Sequence, residues 1–160
     1  LALPRDLLVE FSTQVQQLTE HLDREVKPDE IYQALVDTYG SENGPYRLID
    51  YDLLPGQDDD QRCVARVEVS DNLVTVDGEG SGPIEAFVNA MVETLNEPLT
   101  VLGYQENALG TGSDAQAICI LAIDDPETEM RCYGLGVSRN TITASLNAIV
   151  SALNRRWAKG

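Results

Sequence analysis

The sequence has a single histidine, His21, in 160 residues, which excludes a metal site built on paired histidines and a conventional histidine-dependent triad. Basic residues are also scarce, 11 against 27 acidic ones for a formal net charge of -16, so the Lys and Arg clusters that hold phosphate backbones are missing. Nucleic acid and anionic membrane are not expected as partners. The three cysteines, Cys63, Cys119 and Cys132, are odd in number, widely spaced and set in apolar, strand-like stretches. They read as reduced core residues of a cytoplasmic protein. No apolar run reaches the roughly 18 residues of a membrane span, and the N-terminus lacks a signal-peptide layout. The opening Leu1-Ala2-Leu3-Pro4, without an initiator Met, suggests a piece of a longer chain.

What is present is strong periodicity. Leu8, Phe11, Val15, Leu18 and Leu22 recur at spacings of three and four, which predicts an amphipathic helix over 4–24. A shorter helix follows Lys27-Pro28-Asp29-Glu30, with Ile31, Leu35 and Tyr39 on one side. Two such helices cannot bury their apolar stripes alone, so residues 1–45 are expected to form a linker subdomain docked elsewhere. The polar, Gly- and Pro-containing stretch Ser41-Glu42-Asn43-Gly44-Pro45 marks the boundary. Beyond it the period changes to two. Cys63, Ala65, Val67 and Val69 alternate with polar residues as a half-buried strand, with Tyr46 to Leu54 as hairpin partner and Leu73 to Val76 as a third strand. The run Asp58-Asp59-Asp60 between the first two reads as solvated loop. After Gly82-Pro83 the residues Ile84, Phe87, Val88, Met91, Val92 and Leu95 form one helical face.

From Leu99 the same order returns: a strand near 100–105, a run Ala117–Ile123 apolar enough for burial on both faces, a strand near 130–135, and a helix carrying Ile142, Leu146, Ile149, Val150, Leu153 and Trp157. The repetition extends to residues. Asn89-Ala90-Met91-Val92-Glu93-Thr94-Leu95-Asn96 matches Asn147-Ala148-Ile149-Val150-Ser151-Ala152-Leu153-Asn154, and each is preceded by a G-x-G element, Gly78-Glu79-Gly80 and Gly134-Leu135-Gly136. The predicted fold is α+β, a duplicated βββα unit (about 46–96 and 99–158) whose two sheets and two helices pack with pseudo-twofold symmetry, preceded by the two-helix linker. A sheet with one helix covers only one of its faces, so the two copies should share a core. The glycines are expected where strand hands over to helix, allowing positive φ, close backbone approach and anion binding at a helix start. They are not a dinucleotide fingerprint, since no single βαβ unit with a ribose-binding acid follows. No nucleophile, base or metal set stands out, and the chain is not expected to be catalytic alone.

Three segments carry a resemblance: Gly80-Ser81-Gly82-Pro83-Ile84-Glu85-Ala86-Phe87-Val88, then Gly112-Ser113-Asp114-Ala115-Gln116-Ala117, then Gly134-Leu135-Gly136-Val137 leading to Thr143-Ala144-Ser145 and Asn154-Arg155. In this order the chain resembles the C-terminal regulatory region of 2-isopropylmalate synthases, which condense acetyl-CoA with 2-oxoisovalerate in leucine synthesis. Leu3 to Ser12 is similar to the linker helix before that region. The resemblance implies a homodimer, a catalytic barrel upstream that holds a divalent metal, no cofactor in this part, and leucine as feedback inhibitor. It also implies an effector pocket of Gly82, Ile84, Glu85, Val101, Tyr104, Ala108, Ala115, Ala117 and Ile142. Citramalate synthase, answering to isoleucine, has a similar architecture, and a dimerisation module without effector is the third reading. At Glu85 the chain departs from the small residue usual in the family.

A zwitterion suits such a pocket. Its carboxylate can take N–H groups at the Gly82 helix start, and its ammonium needs carbonyls or an acid such as Glu85 or Asp114. Ala115 and Ala117 leave room for an isobutyl group beside Ile84 and Val101; the same alanines are also what close sheet-to-helix packing requires. Tyr104 is equally compatible with a core ring whose hydroxyl is wet.

Overall fold

In a computed structural model the described residues are 44–109 and 112–159, together with Glu30, Gln33, Ala34, Val36 and Asp37, which are helical. The helix expected over 4–24 and the positions Ile31, Leu35 and Tyr39 lie outside the described residues. Two three-stranded antiparallel sheets follow in sequence order. The first holds β1 (Tyr46–Pro55), β2 (Gln61–Val69) and β3 (Asn72–Gly80), the second β4 (Thr100–Leu109), β5 (Gln116–Asp124) and β6 (Arg131–Ser138). Each sheet is followed by one helix, α1 (Pro83–Leu95) and α2 (Thr141–Lys159), so the chain is α+β and the βββα order occurs twice.

Local chemistry explains the hairpins. Val69 pairs with Asn72, which leaves a two-residue turn at Ser70 and Asp71 with φ of 49° and 70°. Positive φ at both turn positions matches the right-handed twist of the flanking strands, and Asp tolerates it. The β1–β2 connection is longer, carries the exposed acidic run, and is closed by the Gly56 N–H donating to the Asp60 carbonyl at 2.7 Å.

On the first sheet, Cys63, Ala65, Val67 and Val76 are fully buried against α1, while Arg62, Arg66, Asp50 and Asp77 lie on the opposite face. There Arg62 pairs with Asp77 and Arg66 with Asp50 across neighbouring strands. Exposed pairs of this kind contribute little stability but keep the outer face wet. The second sheet is covered on both faces, as the apolar run of β5 anticipates. Cys119, Leu121 and Ile123 belong to the main core, whereas Ile118, Ile120 and Ala122, with Tyr133 and Leu135, face Ala34 and Val36. Ala34 and Val36 therefore pack on the outer face of the second sheet.

The glycines of the two G-x-G elements provide the close backbone approach expected of them, but not through positive φ. They sit inside β3 and β6, and none of the four is among the glycines with positive φ. Their role is contact. A Cβ at Gly80 would lie 2.6 Å from the Ala86 nitrogen, and one at Gly136 2.6 Å from the Ala148 nitrogen. Gly78 meets Ala90 and Gly134 meets Ala148 and Ala152 in the same way. Alternate residues of a strand point to one face, and helix residues four apart share a face, so paired glycines meet paired alanines along one line. This contact also redefines the helical core. In α1 the buried residues are Ala86, Phe87, Ala90 and Met91, while Ile84 and Val88 are only partly covered. Trp157, at the end of the apolar stripe of α2, is 61% exposed.

Polar bonds join the two units. Asn154, 2% exposed on α2, accepts from the Tyr46 N–H and donates to the Tyr46 carbonyl, both at 2.9 Å. Its side-chain amide thus pairs with the start of β1 as a neighbouring strand would. Arg156 donates to the Pro98 carbonyl at 2.6 Å and to Glu97 at 3.0 Å, and Glu97 also accepts from the Tyr46 hydroxyl at 2.8 Å. The Tyr51 and Thr143 hydroxyls share a bond of 2.6 Å. Asn96, the sequence equivalent of Asn154, instead ends α1 with φ 53°, so the repeated asparagines have separate tasks.

Two predictions follow from these contacts, both measured by denaturant unfolding. Gly136→Ala should destabilise by about 3 kcal/mol, because the helix backbone blocks the new methyl, while Gly103→Ala, with open space around it, should stay within about 0.5 kcal/mol of the parent. Asn154→Ala should cost about 3 kcal/mol by stranding the Tyr46 backbone groups, whereas Asn96→Gly should be close to neutral.

Candidate functional site

The tight docking of α2 on β6 carries it over β5 and β6, and it also contacts β1 of the other unit. Among the described residues α1 has no comparable contact with β4. Residues of β4 that share a face with Cys119 and Leu121 by register, namely Val101, Tyr104 and Glu106, are therefore left without close helix packing over them. A cavity of about 620 Å³ opens there. It is bounded by Ser81 to Glu85 and Val88 at the start of α1, by Leu99 to Val101, Tyr104 and Glu106 on β4, and by Ile142 and Ser145 in the first turns of α2. Its size falls in the range of small-molecule sites, and its apolar walls with a few polar groups have the usual composition.

Of the residues expected in an effector pocket, Gly82, Ile84, Glu85, Val101, Tyr104 and Ile142 line this one cavity. Ala108, Ala115 and Ala117 do not. They line a neighbouring depression of about 340 Å³ with Arg139 and Thr141, and Glu106 is common to both. The small residues thus stand beside Thr141 rather than beside Ile84 and Val101. Lining residues that were not expected in the pocket are Ser81, Pro83, Val88, Leu99, Thr100, Glu106 and Ser145. The alternation of β4 offered a signal, since Tyr104, Glu106 and Ala108 fall on one face of a strand.

The two helix starts differ. At α2, Asn140 Oδ1 accepts from the N–H groups of Ile142 at 2.9 Å and Thr143 at 3.1 Å. That is a side-chain cap, and it occupies the donors. At α1 the N-cap is Gly82, with extended φ of -155° and no side-chain cap, and Pro83 follows at the first position. The first turn beyond Pro83 keeps its N–H groups directed out of the helix end, as helix geometry requires. Glu85 lies just in front. One of its oxygens accepts from the Ser81 N–H at 3.0 Å and from the Ser81 hydroxyl, which holds its carboxyl below the usual carboxylate range. This is a capping-box bond displaced by one residue. The Glu85 carboxylate is thus committed to the turn that feeds α1.

On the opposite wall, Glu106 Oε1 accepts from the Ser145 hydroxyl at 2.9 Å, and the same hydroxyl lies 3.0 Å from the Thr141 carbonyl. Beneath them Cys119 is fully buried, and burial pushes its thiol up to about 11; burial likewise pushes Cys63 up to about 11, with Asp77 and Asp52 adding to it. Neither thiol is a nucleophile in that state. Among the described residues no three His, Cys, Asp or Glu side chains gather as metal ligands, and no helix is long and apolar enough to cross a membrane.

Comparison with known proteins agrees with the geometry. The family model of the LeuA allosteric (dimerisation) domain matches residues 25–157. The 2-isopropylmalate synthase of Ralstonia nicotianae is 35% identical over 159 residues, covering 99% of this chain and 28% of the relative. That of Brucella suis is 35% identical over 162 residues, 99% of this chain and 29% of the relative. The mitochondrial 2-isopropylmalate synthase 2 of Saccharomyces cerevisiae is 32% identical over 162 residues, 96% of this chain and 27% of the relative. The chain spans under a third of the length of these curated relatives. With its duplicated βββα order and a matching segment that runs through both units, the chain belongs to the LeuA allosteric (dimerisation) domain family.

Proposed function

We propose that this domain binds leucine in the cavity between α1, β4 and α2, and so places a cytoplasmic 2-isopropylmalate synthase under feedback control by the end product of its pathway. The observation that carries the reading is the chemistry of the walls. An uncapped helix start faces a space lined by Ile84, Val88, Leu99, Val101 and Ile142, with a carboxylate across it. A helix start favours a carboxylate through free N–H groups and the helix dipole. The aliphatic side chains suit an isobutyl group, whose burial drives binding. Condensation of acetyl-CoA with 2-oxoisovalerate, with its divalent metal, belongs on this reading to a catalytic barrel elsewhere in the protein.

The domain acts as a homodimer. β4 is an edge strand, and on it Tyr104 is 54% exposed and Leu102 46%, so a second copy lying on this side would cover apolar surface and close the cavity at once. Ligand affinity and dimer affinity would then be linked, because each ligand would favour the associated state.

Calorimetric titration of the 160-residue chain tests the proposal. Leucine should bind with a dissociation constant in the micromolar to millimolar range, and sedimentation should show leucine strengthening the dimer. Isoleucine branches at Cβ, close to the groups that would hold the backbone, and should bind more weakly. Preference for isoleucine would move the assignment to a citramalate synthase regulator. A folded dimer with no heat from either amino acid would reduce the domain to a dimerisation module.

A further inference from the structure

On the reading of this cavity as an amino-acid site, we infer that Glu106 is the residue that selects an amino acid over the 2-oxo acid of the same skeleton, by pairing with the ligand's ammonium. Among the described residues the cavity is lined by two formally charged side chains, Glu85 and Glu106, and by no Lys or Arg; Arg139 lies in the neighbouring depression that Glu106 also borders. A ligand that brings its own positive charge is favoured there over an anion. Glu85 stands at the α1 start, bonded to Ser81, where the helix end disfavours a cation. Glu106 is on the opposite wall, on β4, held by Ser145 from the first turn of α2. The two walls therefore divide a zwitterion: carboxylate toward the α1 N–H groups, ammonium toward Glu106, aliphatic group against Val101 and Ile142.

Ser145 makes the exchange inexpensive. Its single hydroxyl proton has two acceptors in reach, Glu106 Oε1 at 2.9 Å and the Thr141 carbonyl at 3.0 Å. When an ammonium takes the carboxylate, the hydroxyl turns to Thr141 and no buried donor is stranded. A 2-oxo acid offers only acceptors to Glu106 and adds a negative charge. For a control site in a pathway that handles 2-oxo acids, this rejects the precursor class and admits the product class.

Calorimetry with leucine and 4-methyl-2-oxopentanoate on the parent chain and on Glu106→Gln tests the inference. The glutamine keeps the size of the side chain and an acceptor for Ser145 while losing the charge. The parent should bind leucine at least about 100-fold more tightly than the oxo acid, and Glu106→Gln should weaken leucine about 10- to 100-fold while leaving the oxo acid equal or tighter. Glu106→Asp, which restores the charge on a shorter stem, should recover part of the leucine affinity. Unchanged discrimination in a folded Glu106→Gln variant, checked by its thermal melt, overturns the role of Glu106 and leaves the leucine site standing. A parent chain that binds neither compound overturns both.

Discussion

Everything distinctive about this domain depends on how closely a helix can approach the third strand of its sheet. Gly78 and Gly80 on β3, and Gly134 and Gly136 on β6, carry no side chain, and the residues above them are Ala86, Ala90, Ala144 and Ala148. Backbone meets backbone along that line. A helix docked so tightly is pinned over one side of a three-stranded sheet, and it cannot also cover the first strand. Each unit consequently leaves the inner face of its first strand for the other unit to fill.

The two units fill it unequally. Across β1, α2 supplies Asn154 to the Tyr46 backbone and Thr143 to the Tyr51 hydroxyl, so that gap is bridged by bonds. Across β4, the start of α1 brings Ile84 and Val88 toward the strand without closing on it, and the cavity is what remains. The duplicated architecture would make two like crevices if its symmetry were perfect. The departure from symmetry yields one bonded seam, beside which β1, β6 and α2 line a more polar cavity of about 500 Å³, and one crevice with apolar walls at β4. The helix starts follow the same division, since Asn140 occupies the donors of α2 and Gly82 leaves those of α1 free.

The acids illustrate how far residue type alone can lead. Glu85 attracts notice in the sequence as a charged residue in a motif where a small one is usual, yet its carboxylate completes the Ser81 turn. Glu106 could be noticed only through the alternation that sets it on one face of β4 with Tyr104, because a single acid in a strand of mixed polarity has the pattern of an ordinary exposed residue. Its place in the cavity with the α1 start comes from strand register and from how far α2 stands off β4, neither of which is written in local sequence. The alanines show the same limit. Ala115 and Ala117 are small enough to line a pocket, but they line the depression beside Thr141.

From Tyr46 onward the order of strands and helices, the duplication and the buried side of each strand were legible in the sequence, because periodicity and composition act through neighbours a few residues apart. The family was legible from short motifs in a fixed order. Tertiary structure decided which helix residues the G-x-G glycines meet and that they do so from within strands, since a Cβ at any of them would strike helix atoms five or more residues away in the chain. It also decided which expected pocket residues share a cavity and which of two acids faces its interior. Those outcomes depend on the angle and depth at which helices settle on sheets, and that is set by the packing of both units at once.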